Sequence, residues 1–330
     1  MARLQALQAV SDFGAVALVS VDDLPDEALL MPCGGIGAPT VSLEKIENGD
    51  EGRRLREHVE RLRGQPVAAF LAAEIGGGNG IIPVVWAARA GVPVVDADGM
   101  GRAFPEVPQV TMHVAGISPN PAVMTDERGN VVVFDAIDGG WMERMERAAA
   151  VEFGGMASSS EYQLTARQAR TATVLGSVSL AIGIGRAVLG AEPHPVDALC
   201  REIEAVRLVV GKVSDVERRT AGGFVRGRVQ IDGLGDDAGR SLQLEIQNEN
   251  LVSLEDARVL AIVPDIITVC DSESGRAIQT ERVRYGQRVT VIAFACDSIW
   301  RSARGLQTAG PRAFGYDLDY VPVEEIHVRR

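Results

Sequence analysis

The sequence predicts an α/β fold: an N-terminal parallel or mixed sheet with helices, followed by a C-terminal part containing a small β-barrel or sandwich. Three observations carry this. Apolar runs alternate with helical patterns through the first half, short glycine-rich joints separate them, and strand signals with polar turns take over from about Leu208. Strand, helix, strand with short joints is the pattern of a parallel α/β sheet.

The elements follow in order. In MARLQALQAV, Leu4, Leu7 and Val10 recur at helical spacing and predict an amphipathic helix. GAVALVSV reads as a strand and EGRRLREHVERLRG as an amphipathic helix ending at glycine. PVAAFLAAEI is a buried strand, GIIPVVWAARAG a helix and VPVVDAD another strand. Ligands in such sheets bind beyond the carboxyl ends of the strands. Three loops are expected there: MPCGGIGAPT (31 to 40), EIGGGNG (74 to 80) and DADGMGRAFP (96 to 105).

After Phe153 the character changes. GGMASSSEYQ is small and polar, as a linker or crossover is, and TARQARTATVLGSVSLAIGIGRAVLG reads as helical despite its glycines. PHPVDALCREIEAV is a helix opened by Pro195 and Asp197. Strand signals then dominate in RLVVGKVSDVERR, GGFVRGRVQIDG, RSLQLEIQNENLVSL, VLAIVPDIITVCD and QRVTVIAFA, and the closing GPRAFGYDLDYVPVEEI is expected to pack back on the body. The expected domains are 1–165, the α/β part, and 166–330, helical to about 207 and β-rich beyond.

Bulk properties narrow the chemistry. With 330 residues and 46% hydrophobic content the chain can bury a sizeable core. A formal charge of -12 argues against a polyanion partner, since nucleic-acid binding relies on clustered Lys and Arg. A small molecule or a protein is the expected partner. Cys33, Cys200, Cys270 and Cys296 are far apart and form no CxxC pair, so neither a zinc ribbon nor a disulfide framework is indicated, and a reducing cytoplasm is expected. The segment closest to a membrane span, Thr173 to Gly190, is interrupted by Arg186 and studded with glycine, so no span is expected. A homo-oligomer is the expectation for soluble assemblies in general.

The GGGNG loop matches neither GxGxxG nor GxxxxGK[ST]. Its glycines either let a strand turn into a helix or let a ligand approach the backbone. Glu74, at the end of a buried strand, acts as a general base if burial raises its pKa, or caps the following helix. Asp96 and Asp98 point to one side of their strand end, where a neighbouring strand can bring Glu74 to them; carboxylates so placed suit acid–base work or a divalent metal ion. The alternative for Asp96 is a bond to loop amides. Among the histidines only His113 sits near these loops, and Cys33 sits beside the first. There is no HExxH, no GxSxG, and no evident base partner for Ser118.

Four stretches taken in order are more specific than any one motif. MPCGGIGAPTVSLEKIENGDE, AAEIGGGNGIIPVVWAARAGVPVVDADGMGRAFPE, GISPNPAVMTDERGNVVV and GPRAFGYDLDYVPVEE together resemble the bacterial and fungal family named for S-methyl thiohydantoin desulfurase, over nearly the whole chain. The resemblance implies an N-terminal α/β domain, a β-barrel-like C-terminal subdomain and chemistry on a cyclic ureide or thiohydantoin ring, as members occur fused to or near hydantoinase- and oxoprolinase-like proteins. It implies a hydrolytic reaction in which Glu74 or Asp98 activates water, the amides of Gly76, Gly77 and Gly78 together with Arg102 stabilise developing charge, and Asn79 bonds the ring amide. Gly35 and Thr40 of the first loop join the ligand-binding set, and Asp96 and Asp98 are the first candidates should a divalent metal take part. Members usually open with a further strand and a GTGGGG-type loop ahead of the helix at which this sequence starts. Without them an exposed sheet edge and a less complete ligand site are expected. Two rival readings are a non-catalytic partner or ligand-binding subunit of a hydantoinase-type enzyme, and a nucleotide-binding regulator.

Overall fold

The structure, a computed structural model, describes residues 2–37, 41, 45–191, 193–221 and 224–328. It divides into two units, Met1–Ser179 and Leu180–Arg330. In the first, α1 (Ala2–Phe13) leads into β1 (Leu18–Val19), β2 (Leu29–Gly37), α2 (Glu51–Arg63), β3 (Val67–Ala72), α3 (Ile82–Ala90), β4 (Val94–Asp98) and the short α4 (Thr111–Val114). A hairpin of β5 (Ala122–Thr125) and β6 (Val131–Phe134) follows, then α5 (Gly139–Glu152), β7 (Met156–Ser160), β8 (Leu164–Thr165), α6 (Ala166–Ala172) and β9 (Val174–Leu175). The helix α7 (Ser177–Gly190) starts at the end of this unit.

The sheet of this unit is mixed, in the order β1-β4-β3-β2-β7-β5-β6. β1, β4, β3 and β2 run parallel, and β2 takes the antiparallel β7 on its other side. VAAFLA is a continuous apolar run because β3 is central and covered on both faces. One face packs Met31, Cys33 and Phe70 against Leu55 and Val59 of α2 and Val85 and Trp86 of α3. The other sets Ile36, Met124 and Ala157 against Met142 and Ala150 of α5.

Three sequence expectations change here. MPCGGIG is strand, not loop: residues 31–37 belong to β2, with Gly34 and Gly35 paired to Ser159 and Ser158. A side chain on Gly34 would stand 3.1 Å from the Ala73 Cβ, and one on Gly35 3.3 Å from the Ala157 carbonyl oxygen, so the glycines serve close packing inside the sheet. GGMASSSEYQ is neither linker nor crossover, since MASSS forms β7 between β2 and β5, with its serines buried. The helical reading of 165–190 breaks at Thr173, where β9 pairs with β4 before α7 begins.

In the second unit, α8 (Pro195–Glu202) precedes seven antiparallel strands: β10 (Val206–Ala221), β11 (Phe224–Gly233), β12 (Ser241–Gln247), β13 (Glu249–Glu255), β14 (Arg258–Ile262), β15 (Ile266–Asp271) and β16 (Arg288–Phe294). Their order, β14-β13-β12-β11-β10-β16-β15, forms a curled half-barrel. The long β10 serves both β16 and β11, with register shifts between Arg207 and Val209 and between Val213 and Asp215 that help it bend. Leu208, Val229, Leu244, Leu260 and Val291 fill the concave core. The tail adds α9 (Ala303–Ala309) and α10 (Val323–Val328), and Val323 joins that core. No helix among the described residues is long and apolar enough to cross a membrane.

Candidate active site

Two loops leave the carboxyl ends of β3 and β4, and one carboxylate ties them together. Asp98 Oδ2 accepts the amides of Ile75 at 2.9 Å, Met100 at 2.9 Å and Gly101 at 2.8 Å. Its side chain is 0% exposed, and burial pushes its pKa up to about 6 against the amides and the nearby Ser177 hydroxyl, which favour the charge. Oδ1 completes no hydrogen bond among the described residues. The glycines make the approach possible. A Cβ at Gly99 would lie 2.5 Å from the Ala73 carbonyl oxygen, and one at Gly76 2.9 Å from the Ala103 Cβ, while Gly77 holds φ at 54°.

Glu74 is partly exposed, and its Oε1 accepts from Asn79 Nδ2 at 2.8 Å. The same Asn79 nitrogen points at the Gly35 carbonyl, 3.5 Å away. Gly35, Glu74 and Asn79 are thus brought together just beyond the carboxyl end of β3. The rest of the loop winds into α3 through Gly80 N to Gly76 O and Ile82 N to Gly78 O. Arg102, 8% exposed, donates from Nε to the Ala103 carbonyl and lies 4.5 Å over the Phe104 ring.

Asp96 goes elsewhere. Its oxygens accept the Ser179 amide at 2.9 Å and the Ser179 hydroxyl at 2.5 Å, and its carbonyl accepts the Gly176 amide, so it secures the first turn of α7. Among the described residues no three His, Cys, Asp or Glu side chains converge to hold a metal ion. Thr40 lies outside the described residues. Cys33 donates to the Met31 carbonyl, and burial pushes its thiol well up, which suits packing rather than attack.

His113 Nδ1 stands 3.3 Å from the Tyr162 hydroxyl, the rings edge-on. Gly139, at the start of α5, leaves room for both, because a Cβ there would lie 2.9 Å from the Tyr162 oxygen. Tyr162 itself holds φ at 52°, a strained setting for an aromatic residue. The sequence does not single out Tyr162, which lies inside the stretch that reads as a linker or crossover, nor the buried Glu161 beside it and Glu146 on α5. For Glu146 a signal existed: it falls at helical spacing with Met142 and Ala150, on the face of α5 that enters the core.

Two family models match the chain, the S-Me-THD-like N-terminal domain over residues 1–136 and the S-Me-THD-like C-terminal domain over residues 137–323. Their junction falls between β6 and α5. A crystal structure of a protein from Chromobacterium violaceum has a TM-score of 0.80 to this chain at 23% sequence identity, covering 97% of this chain and 92% of that one, and shares its fold. None of the curated proteins matches the chain.

Proposed function

The chain belongs to the S-Me-THD-like family, whose two models together span residues 1–323, and from that premise we propose that it is a desulfurase that hydrolyses thiohydantoin or S-methyl thiohydantoin rings. Water adds to the ring carbon that carries sulfur, and the tetrahedral adduct collapses to a carbonyl as hydrosulfide or methanethiol leaves. In this reading Glu74 takes the proton of that water. It is partly exposed, and Asn79 fixes its direction. Asp98 has no exposed surface, so its part is to hold the two loops in register rather than to meet the ring. Gly77 and Gly78 are exposed beside Glu74 and leave a ring free access to the backbone.

The family match carries this reading, and the joining of Glu74 and Asn79 beyond the carboxyl end of β3, against Gly35 of β2, supports the choice of base. Release of methanethiol or hydrosulfide from a panel of S-methyl thiohydantoins and thiohydantoins tests it. Glu74→Gln is expected to lower that release roughly a hundredfold or more with an unchanged melting temperature. Equal release by the variant would remove Glu74 from the mechanism, and no release from any ring by the unaltered chain would remove the substrate class.

A further inference from the structure

Glu146 on α5 and Glu161 just beyond β7 are buried against each other, 0% and 8% exposed, with their carboxyl groups within hydrogen-bonding reach. Both oxygens of Glu146 and Oε1 of Glu161 lack a hydrogen-bond donor among the described residues. Two carboxylates cannot close such a contact, because neither carries a proton to donate and like charges repel in a poorly solvated place. Only a proton between them can. Metal is the other way to neutralise paired carboxylates, but no third ligand of the usual kinds converges here among the described residues.

The surroundings favour the proton. Facing the pair are Glu143 and Arg147, both on α5, and the Ser159 hydroxyl on β7. On β2 the buried Cys33 thiol, on the sheet face that packs α2 and α3, feels the charge of Glu161 and is protonated, and β6, also packed on α5, reads VVVF and adds no titratable group. Arg147 is committed to Glu143 at 2.6 Å. Burial holds Glu146 well above the usual carboxylate range, with Glu161 and Glu143 adding to the effect, and burial raises Glu161 too.

What the pair holds in place is one turn away. Glu143 Oε2 accepts the Val107 amide at 2.9 Å, and Arg147 donates to the Pro105 carbonyl at 3.1 Å, so α5 seats the loop that follows β4. That loop carries Arg102 and the amides of Met100 and Gly101 that bond Asp98. We propose that Glu146 and Glu161 share one proton and are positioning residues: the proton-bridged pair fastens α5 to the sheet, and α5 in turn seats the 99–110 loop of the candidate site. The sign follows from linkage. Both acids are raised in the folded chain, so the stability they contribute is complete below the ordinary glutamate pKa and is lost as pH rises through their folded values.

Only in treating the 99–110 loop as part of a functional site does this rest on the proposed function. Its test is therefore read without substrate. Hydrogen exchange of the full chain, corrected for intrinsic rates, is expected to become roughly tenfold faster in 99–110 and 139–152 between mildly acidic and mildly alkaline buffer. Glu146→Gln, whose amide supplies the missing donor permanently, is expected to abolish that acceleration, and Glu161→Gln serves as the mirror variant should the first fail to fold. An infrared stretch of a protonated carboxyl group at neutral pH, lost in either variant, is the matching signature. Acceleration that persists in both variants, or the absence of such a band from the unaltered chain, would overturn the shared proton. Desulfurase activity can fail without touching either readout.

Discussion

Asp98 binds three backbone amides with one oxygen and leaves the other without a hydrogen bond among the described residues, and burial and the amides pull its ionisation in opposite directions. Burial wins, and the pKa rises from 3.8 to about 6. A raised acid means that the folded chain holds the proton more tightly than the unfolded one. The stability Asp98 gives is thus complete below about 3.8 and disappears as pH rises through about 6, a loss of at most about 3 kcal/mol. Asn in its place keeps a carbonyl oxygen for the three amides and turns an uncharged NH2 toward the Ser177 hydroxyl. Asp98→Asn is therefore expected to flatten the decline of melting temperature across that window and to be the more stable form at neutral pH. Parallel curves for the two proteins would show that the charge is solvated by something other than these residues. The sequence placed Asp98 at the right strand end, but alternation alone paired it with Asp96. The deciding partner of Asp96, Ser179, lies 83 positions away, beyond what spacing can report.

At the scale of elements, what was legible depended on whether packing is recorded in side chains. β3, β4, α2 and α3 are written in apolar periodicity and were readable. β2 and β7 were not, because Gly34, Gly35 and the serines at 158, 159 and 160 fill the middle of the sheet with residues that ordinarily mark loops. Small residues here allow close approach. The same logic rules α2, where a Cβ on Gly52 would sit 2.3 Å from Cγ of the buried Trp86. An alanine gains about 1 kcal/mol of helix propensity. Against that stands an overlap with a large ring between two packed helices, which costs about 1–3 kcal/mol. The overlap wins, so Gly52→Ala is expected to lower the melting temperature and shift the emission of Trp86 as α2 moves off α3. A gain in stability with unaltered emission would mean that the helices yield at no cost and that Gly52 is not a packing glycine.

Over the whole molecule the two units are fastened by different means, the first by loops knotted at strand ends and the second by a single buried carboxylate. Asp265, 0% exposed, takes the Cys296 amide, Arg301 and the Tyr320 hydroxyl on Oδ1, each at 3.0 Å, and the Val323 amide on Oδ2 at 2.8 Å. It thereby joins the turn after β14, the segment after β16 and the C-terminal tail, three stretches that share no local sequence signal. The tail was expected to return to the body from its aromatics, and Tyr320 does so through its hydroxyl rather than through its ring alone. Removing one partner of a buried ion pair costs about 3–5 kcal/mol, since the other partners lose their acceptor together. Arg301 keeps Glu324 at 2.9 Å, which places the expected loss at the lower end. Asp265→Ala is therefore expected to speed proteolysis and hydrogen exchange of residues 316–328 and of the half-barrel, while exchange in 67–98, which belongs to the other unit, stays as it was. If 67–98 loosened equally, the chain would unfold as one cooperative body and the clamp would belong to the whole protein. A tail that stayed protected would show that Val323, seated in the core of the half-barrel, holds it without the carboxylate.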